Sequence, residues 1–334
     1  RVELGTWPTP VEECRRLSAA LGGPRVLVTR DDVNGLGAGG NKLRKLEYLL
    51  GQAMADGADT VLTFGAVQTN HGRQTAAACA RLGLRCELVL TEKVARDGRA
   101  DPADAAYLRS GNVALDRLYG ARVHICPDEG VAERRTEELL AQADAEGRRV
   151  ATFPTGGSNG LGGLGYVAAA AELLAQVAEL GYTADRIVVA QGSGGTAAGL
   201  AVGTALLGWV GKLEIACVAR PARESADEAR RLVNEISCVL GVEAPRPDHL
   251  RWTHGALGPG YGVPTEQVWE ALRTFGSTEG IALDPVYTGK AAAVLLETVR
   301  TGEIGARETV VFLHTGGLPG LFGYAPELMD AVDG

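Results

Sequence analysis

From about residue 60 onward, short apolar runs of strand length alternate with longer helix-like stretches, and glycine clusters where one gives way to the other. Residues 60–64, 86–90, 122–125 and 149–153 read as strands, and 74–82, 103–110, 112–118 and 130–147 as helices. The scheme then repeats. Helices over 161–180, 196–207, 224–240, 264–275 and 288–301 alternate with strands over 186–190, 213–218 and 309–313. Before this pattern, residues 11–21 read as an amphipathic helix and 25–29 as a strand. Strands separated by helices form parallel sheets with right-handed crossovers. The expected fold class is therefore α/β, and 334 residues suit two domains better than one core. Ligands of such sheets bind beyond the strand C-termini, so the glycine-bearing junctions are where chemistry is to be sought.

Composition narrows the function. A net charge of −8 with no dense Lys/Arg run argues against a nucleic-acid surface. Apolar runs such as 187–190 and 310–313 are strand-length, so no membrane span of roughly 20 residues is expected. Residues 1–10 lack a signal-peptide pattern. Six cysteines are scattered with no CxxC pair, which reads as buried free thiols in a reducing, cytoplasmic compartment. The five histidines have no metal-ligand spacing, so no metal is expected.

Gly39-Gly40-Asn41-Lys42 closes a loop-like run and opens a helix in which Leu43, Leu46, Leu49 and Leu50 share one face. Lys42 thus stands at a helix N-terminus, where the ammonium is disfavoured and burial lowers the pKa further. A neutral lysine can form a Schiff base with a carbonyl cofactor. The plain alternative is a solvated first-turn lysine. Gln191-Gly192-Ser193-Gly194-Gly195-Thr196 follows a strand and opens a small-residue helix, which makes a phosphate cradle or a bare βα turn. It is neither a P-loop nor GxGxxG with its acidic partner, so a dinucleotide dehydrogenase is disfavoured. Thr69-Asn70-His71 sits at another junction, where a plain N-cap is the alternative. Loops 154–160 and 314–317 are two more polar, glycine-rich junctions.

GGNKxRKLE, GAVQTNHGRQTAA, GGSNxLGxLGY, GSGGTxAGLA, LDPVYTGK and HTGG occur in this order over residues 39–317. This set resembles the pyridoxal-phosphate enzymes of the tryptophan-synthase β-like fold (fold type II). The similar branch contains 1-aminocyclopropane-1-carboxylate (ACC) deaminase, D-cysteine desulfhydrase and L-cysteate sulfo-lyase. The resemblance implies a two-domain, three-layer αβα body, with residues 1–48 plus 158–334 as the large cofactor domain. Residues 49–157 would form the small domain, with the active site in the cleft between them. Pyridoxal 5'-phosphate would be held by Lys42, which also shuttles the substrate α-proton. Asn70 would bond the cofactor's 3-hydroxyl, and Thr315 its pyridine nitrogen. Gly192, Ser193, Gly194, Gly195 and Thr196 would bind the phosphate. Thr69, Asn70 and His71 would line the substrate carboxylate site, with Gly157 and Thr288 beside it. Tyr261 and Tyr287 would assist proton transfer or hold the leaving group, and Thr69 is counted with them and Lys42 as catalytic.

The implied activity is α,β-elimination and deamination of a small β-substituted amino acid to a 2-oxo acid and ammonia. Two alternatives share the machinery: ACC ring opening and a β-replacement synthase. A non-enzymatic binding module is disfavoured because the lysine and phosphate loop are intact. ACC deaminases carry Glu where this chain has Thr288 and usually Gln where it has His71, which moves the reading toward the desulfhydrase and sulfo-lyase side. Relatives usually have Ser in place of Thr69, and the extra methyl is expected to narrow the pocket. A homodimer is implied as the family tendency.

Overall fold

The computed structural model describes residues 1–94, 102–246, 249–253 and 255–333. Strands β1 (Val11–Glu13) and β2 (Arg25–Arg30) open the chain. Four more follow: β3 (Thr60–Ala66), β4 (Arg85–Thr91), β5 (Arg122–Cys126) and β6 (Val150–Phe153). The chain then adds β7 (Arg186–Gln191), β8 (Lys212–Cys217), β9 (Leu250–Thr253) and β10 (Thr309–His314). They form two sheets, ordered β1-β2-β10-β7-β8-β9 and β5-β4-β3-β6. Every pairing is parallel except β1 against β2. The α/β class expected from the alternation is the one observed.

Both faces of the larger sheet are covered, and the pleat shows it. Val26, Val28, Val188, Val310 and Phe312 point into one core with helices Arg15–Ala20, Glu266–Glu279 and Thr288–Arg300. Their neighbours Leu27, Ile187, Val189, Val311 and Leu313 point into the other, with helices Gly160–Glu179, Gly195–Leu206 and Ala222–Leu240. Strands buried on both sides read as continuous apolar runs, which is why β7 and β10 were visible in the sequence. The smaller sheet is sandwiched likewise. Val61, Leu88 and Leu90 face helices Lys42–Ala55 and Asn70–Leu82, while Leu62 and Val89 face helix Glu129–Ala145.

Three expectations need correction. Residues 11–21 are not one helix: β1 pairs antiparallel with β2, Val11 opposite Thr29, and the helix starts only at Arg15. The free edge of β2 captures the segment after Pro10, and β-branched Val11 suits an edge strand. Strand β9 and helices Leu318–Phe322 and Ala325–Asp333 were not anticipated. Finally, helix Gly160–Glu179 has the length and apolar character of a membrane span, although no stretch of that length was expected. Here it packs between helices, and its glycines allow the approach. A Cβ on Gly199 of the neighbouring helix would stand 2.5 Å from the Gly163 carbonyl.

Candidate active site

The C-terminal ends of β3, β6, β7 and β10 converge on one cavity of ≈ 330 Å³. Its wall takes Lys42, Asn70, Ser193, Tyr261, Tyr287 and Thr315 from six different segments. Thr69, His71, Gly192, Gly194 and Thr196 also line it. Gly157, Gly195 and Thr288 do not lie on that wall.

Lys42 is the first residue of helix Lys42–Ala55. Its own N-cap, Asn41, makes no side-chain cap. Gln74 supplies one from the next helix, accepting from the Lys42 and Leu43 amides at 2.9 and 3.1 Å. Gly40 makes room: at φ +126° it holds a conformation other residues avoid, and a Cβ there would lie 2.5 Å from Gln74 Nε2. Asn41 ties the junction to two other loops, donating from its amide to Thr315 O (3.0 Å) and from Nδ2 to Thr196 Oγ1 (2.9 Å). Burial lowers the Lys42 pKa to about 8, against the opposing pull of Asp284. About one Lys42 in ten is then a free amine at pH 7, against about one in three thousand for an unshifted lysine.

This has a testable consequence. In the cofactor-free protein, capture of an added aldehyde by Lys42 should rise with pH and level off above about 8. An ordinary lysine would keep accelerating toward its usual value near 10.4. The stability sign follows: the unfolded chain binds more protons between those limits, so this group makes folding more favourable as pH rises through that window. Borohydride trapping of pyridoxal across pH would read the midpoint, and one near 10 would remove the claim of a buried amine.

Thr69 caps helix Asn70–Leu82, its hydroxyl accepting from Gly72 N at 3.1 Å. Its methyl lies where a Cβ on Gly72 would fall, 2.5 Å away, with Leu88 beyond. Gly72 thus leaves room for the methyl beside the helix. Thr69→Ser keeps the cap, so turnover of any one substrate should change by less than about threefold and stability by less than about 1 kcal/mol. A tenfold shift in preference among substrates would show that the methyl selects them.

Asn70 Oδ1 accepts from Asn112 Nδ2 at 3.0 Å, which leaves the Asn70 amide nitrogen as the available group. Asn112 is itself held by Gln68. For His71 a chain of bonds fixes the tautomer. Thr63 spends its one proton on Phe153 O at 2.9 Å, so it must accept from His71 Nε2, also at 2.9 Å. Burial, with Lys42 and Lys45 adding, drives the His71 pKa well down, so the ring is neutral. Its Nδ1 lone pair is buried and has no partner. On the cavity wall such an acceptor is served by a water or by a bound ligand.

The loop at residues 191–196 reaches the same wall. Gly194 caps helix Gly195–Leu206 at φ +90°, so the loop enters the helix at the cavity wall. Ser158 crosses from the opposite loop, bonding Ser193 Oγ at 2.8 Å and accepting from Gly195 N at 3.2 Å. Beneath it lies Lys45, which donates to Gly156 O and Ser158 Oγ at 3.2 and 3.1 Å. Burial and the neighbouring Lys42 hold its pKa well below the usual value. Amides at a helix N-terminus and the cavity-lining hydroxyls of Ser158, Ser193 and Thr196 make a donor set suited to a phosphate, with Lys45 holding Ser158 from beneath.

Across the cavity the Tyr261 and Tyr287 hydroxyls bond each other at 2.7 Å, and burial raises both pKa values. They are neutral phenols able to pass a proton. Thr288 turns away: its hydroxyl donates to Asp284 Oδ1 at 2.7 Å and accepts from the Asp284 amide at 2.8 Å. Gly157 stands behind His71, with a Cβ there 3.3 Å from His71 Cε1. Lys45, Gln74, Asn112, Ser158 and Asp284 were not assigned roles from the sequence. Lys45 and Asp284 lie inside the motifs GGNKxRKLE and LDPVYTGK, so the signal was present.

A buried lysine of lowered pKa facing a donor set suited to a phosphate, in the cleft between two α/β sheets, defines a carbonyl-cofactor enzyme. The pyridoxal-phosphate dependent enzyme family matches residues 2–316, and the chain belongs to it. D-cysteine desulfhydrases of Salmonella choleraesuis (strain SC-B67) and Klebsiella pneumoniae (strain 342) are each 40% identical over 328 residues. These matches cover 98% of this chain and 97% of each relative. A solved structure of an ACC deaminase homologue superposes with a TM-score of 0.86 at 37% identity, covering 99% of this chain and 96% of that one. An O-ureido-L-serine synthase shares the fold, with a TM-score of 0.66 at 18% identity over 99% of this chain and 92% of that one. The cofactor is pyridoxal phosphate and the fold is type II.

Proposed function

We propose that this protein is a β-eliminating lyase acting on D-cysteine, releasing pyruvate, ammonia and hydrogen sulfide with consumption of one water. The observation that carries it is the 40% identity to D-cysteine desulfhydrases over 98% of the chain. The cavity of ≈ 330 Å³ suits a small amino acid beside the cofactor.

When bound, pyridoxal phosphate supplies an aldehyde carbon for an amine and an electron sink for an α-carbanion. The chain's own groups do the rest. Lys42 offers the free amine that holds the cofactor and later takes the α-proton on Nζ. Gly192, Ser193, Gly194 and Thr196 bind the phosphate, with Lys45 and Ser158 beneath. Gly195 contributes through its bond to Ser158. Asn70 would donate from Nδ2 to the ring oxygen, and Thr315 would serve the ring nitrogen. Thr69 and Asn70 bind the substrate carboxylate, and the bare Nδ1 of His71 accepts a hydrogen from the substrate. The Tyr261–Tyr287 pair delivers a proton to the departing sulfur. Gly157 and Thr288 act from behind, backing His71 and holding Asp284.

We propose further that residues 1–48 plus 158–334 and residues 49–157 are the two domains. The six-stranded and four-stranded sheets support this, although the boundary at 48/49 falls inside helix Lys42–Ala55. A cytoplasmic homodimer is part of the reading. Six free cysteines, five of them buried, suit a reducing compartment. Light scattering tests the dimer.

The deciding experiment incubates the holoenzyme with D-cysteine, L-cysteate and ACC separately, assaying pyruvate, sulfide, sulfite and 2-oxobutanoate. Sulfide and pyruvate in equal amounts from D-cysteine support the reading. Turnover of L-cysteate or ACC alone overturns the substrate.

A further inference from the structure

The segment presenting Tyr261 has little structure of its own. It lies between β9 and helix Glu266–Glu279, and Val263 N to Gly260 O at 3.3 Å is a weak turn bond. Its fixation comes from helix Thr288–Arg300 and from the turn between helices Leu318–Phe322 and Ala325–Asp333. Lys290, 0% exposed on helix Thr288–Arg300, donates from Nζ to Leu257 O at 2.7 Å and to Gly260 O at 2.8 Å. Tyr324, 1% exposed, donates from its hydroxyl to Gly262 O at 2.7 Å. The three carbonyls so gripped bracket Tyr261 on both sides.

Burying an ammonium is costly, and an apolar side chain would fill the same space without that cost. Burial lowers the Lys290 pKa to about 8 while Asp284 pulls it up. The charge is therefore kept where, among the described residues, backbone carbonyls and the field of Asp284 compensate it. Carbonyl oxygens converging on one cation are the arrangement proteins otherwise use for a bound monovalent ion.

We propose that Lys290 is a positioning residue for the reaction: a built-in cation that clamps the 257–262 turn and fixes where the Tyr261 hydroxyl meets Tyr287. Tyr324 is the second fastening of the same turn. The inference rests on the reading that this tyrosine pair faces the substrate. A misplacement of about 1 Å at such a proton-transfer pair can lower turnover about 100-fold, so the clamp has a measurable purpose.

The test compares Lys290→Met, Tyr324→Phe, Tyr261→Phe and the Lys290→Met/Tyr261→Phe double variant as holoenzymes with D-cysteine. Lys290→Met should lower kcat about 10–100-fold with KM changed far less, and the double variant should be no slower than Tyr261→Phe alone. Hydrogen exchange, read without substrate, should show amides of 255–263 opening in Lys290→Met while β7 stays protected. Added methylammonium should restore part of the lost kcat in Lys290→Ala, which a merely structural role would not allow. An unchanged kcat, fully additive losses, or unchanged exchange in the turn would each overturn the proposal. Should Lys290→Met not fold, Tyr324→Phe decides through the same kcat loss and turn opening. Failure of the substrate reading shows separately, as wild-type enzyme inert toward D-cysteine, and the exchange result stands without it.

Discussion

Lys42→Ala should abolish turnover and, in the same protein, the near-visible absorbance of a lysine-linked cofactor. The expected loss is at least about 10⁴-fold. On the proposed mechanism the change removes the group that holds the cofactor and also a general base, itself worth about 10²–10⁴-fold. Folding should survive, because the helix does not depend on this side chain for its start. The first amides are capped by Gln74, and the apolar face begins at Leu43. Lys42→Arg sharpens the test. It restores a cation at the same place but no amine that can be neutral near pH 7. Both variants should bind pyridoxal phosphate weakly through the cradle at 191–196, without the absorbance and without turnover. Activity within tenfold of wild type in either would remove Lys42 from the centre of the chemistry. Lys45, also buried and close by, would then be the amine to examine.

The two sheets were legible because parallel strands buried on both faces are continuous apolar runs, and β7 and β10 are of that kind. β1 and β9 escaped for the converse reason. One is an edge strand of three residues and the other an edge strand of four, partly exposed, so neither leaves a long apolar signature. Within the site, residues marked by their type at a strand-to-helix junction could be placed directly, and Lys42 and the glycine loop both reach the cavity wall. What stayed hidden was how partners divide their hydrogen bonds. Thr288 looked like a substrate contact beside Tyr287, yet its hydroxyl is consumed by Asp284. His71 looked like one more polar group. Only the bond from Thr63 to Phe153 O makes its Nδ1 a bare acceptor. Long-range bonds of this kind leave no periodic trace. Asn112 reaches Asn70 across 42 residues and Gln74 reaches Lys42 across 32.

Asp284→Ala should be the most destabilising single change near the site, by about 3–5 kcal/mol. Asp284 is 1% exposed, and its carboxylate gathers four donors. Oδ2 accepts from the Val286 and Tyr287 amides, both at 2.9 Å. Oδ1 accepts from the Thr288 amide at 2.9 Å and the Thr288 hydroxyl at 2.7 Å. Alanine leaves two buried amides, the part-buried Tyr287 amide and a hydroxyl without an acceptor at the start of helix Thr288–Arg300, and each bond to a charged acceptor is worth about 1.5–3 kcal/mol. Asp284→Asn keeps the shape and one acceptor oxygen, so about half that loss is expected. A second effect goes beyond stability. Asp284 is the charge that opposes the lowering of both Lys42 and Lys290. Neutralising it should move the pH midpoint of aldehyde capture by Lys42 below that of the unmodified protein, so the asparagine variant should capture faster at pH 7. Urea unfolding reads the first effect and borohydride trapping across pH the second. A loss under about 1 kcal/mol in the alanine variant would show that water replaces the carboxylate. An unmoved midpoint in the asparagine variant would show that desolvation alone sets the reactivity of Lys42.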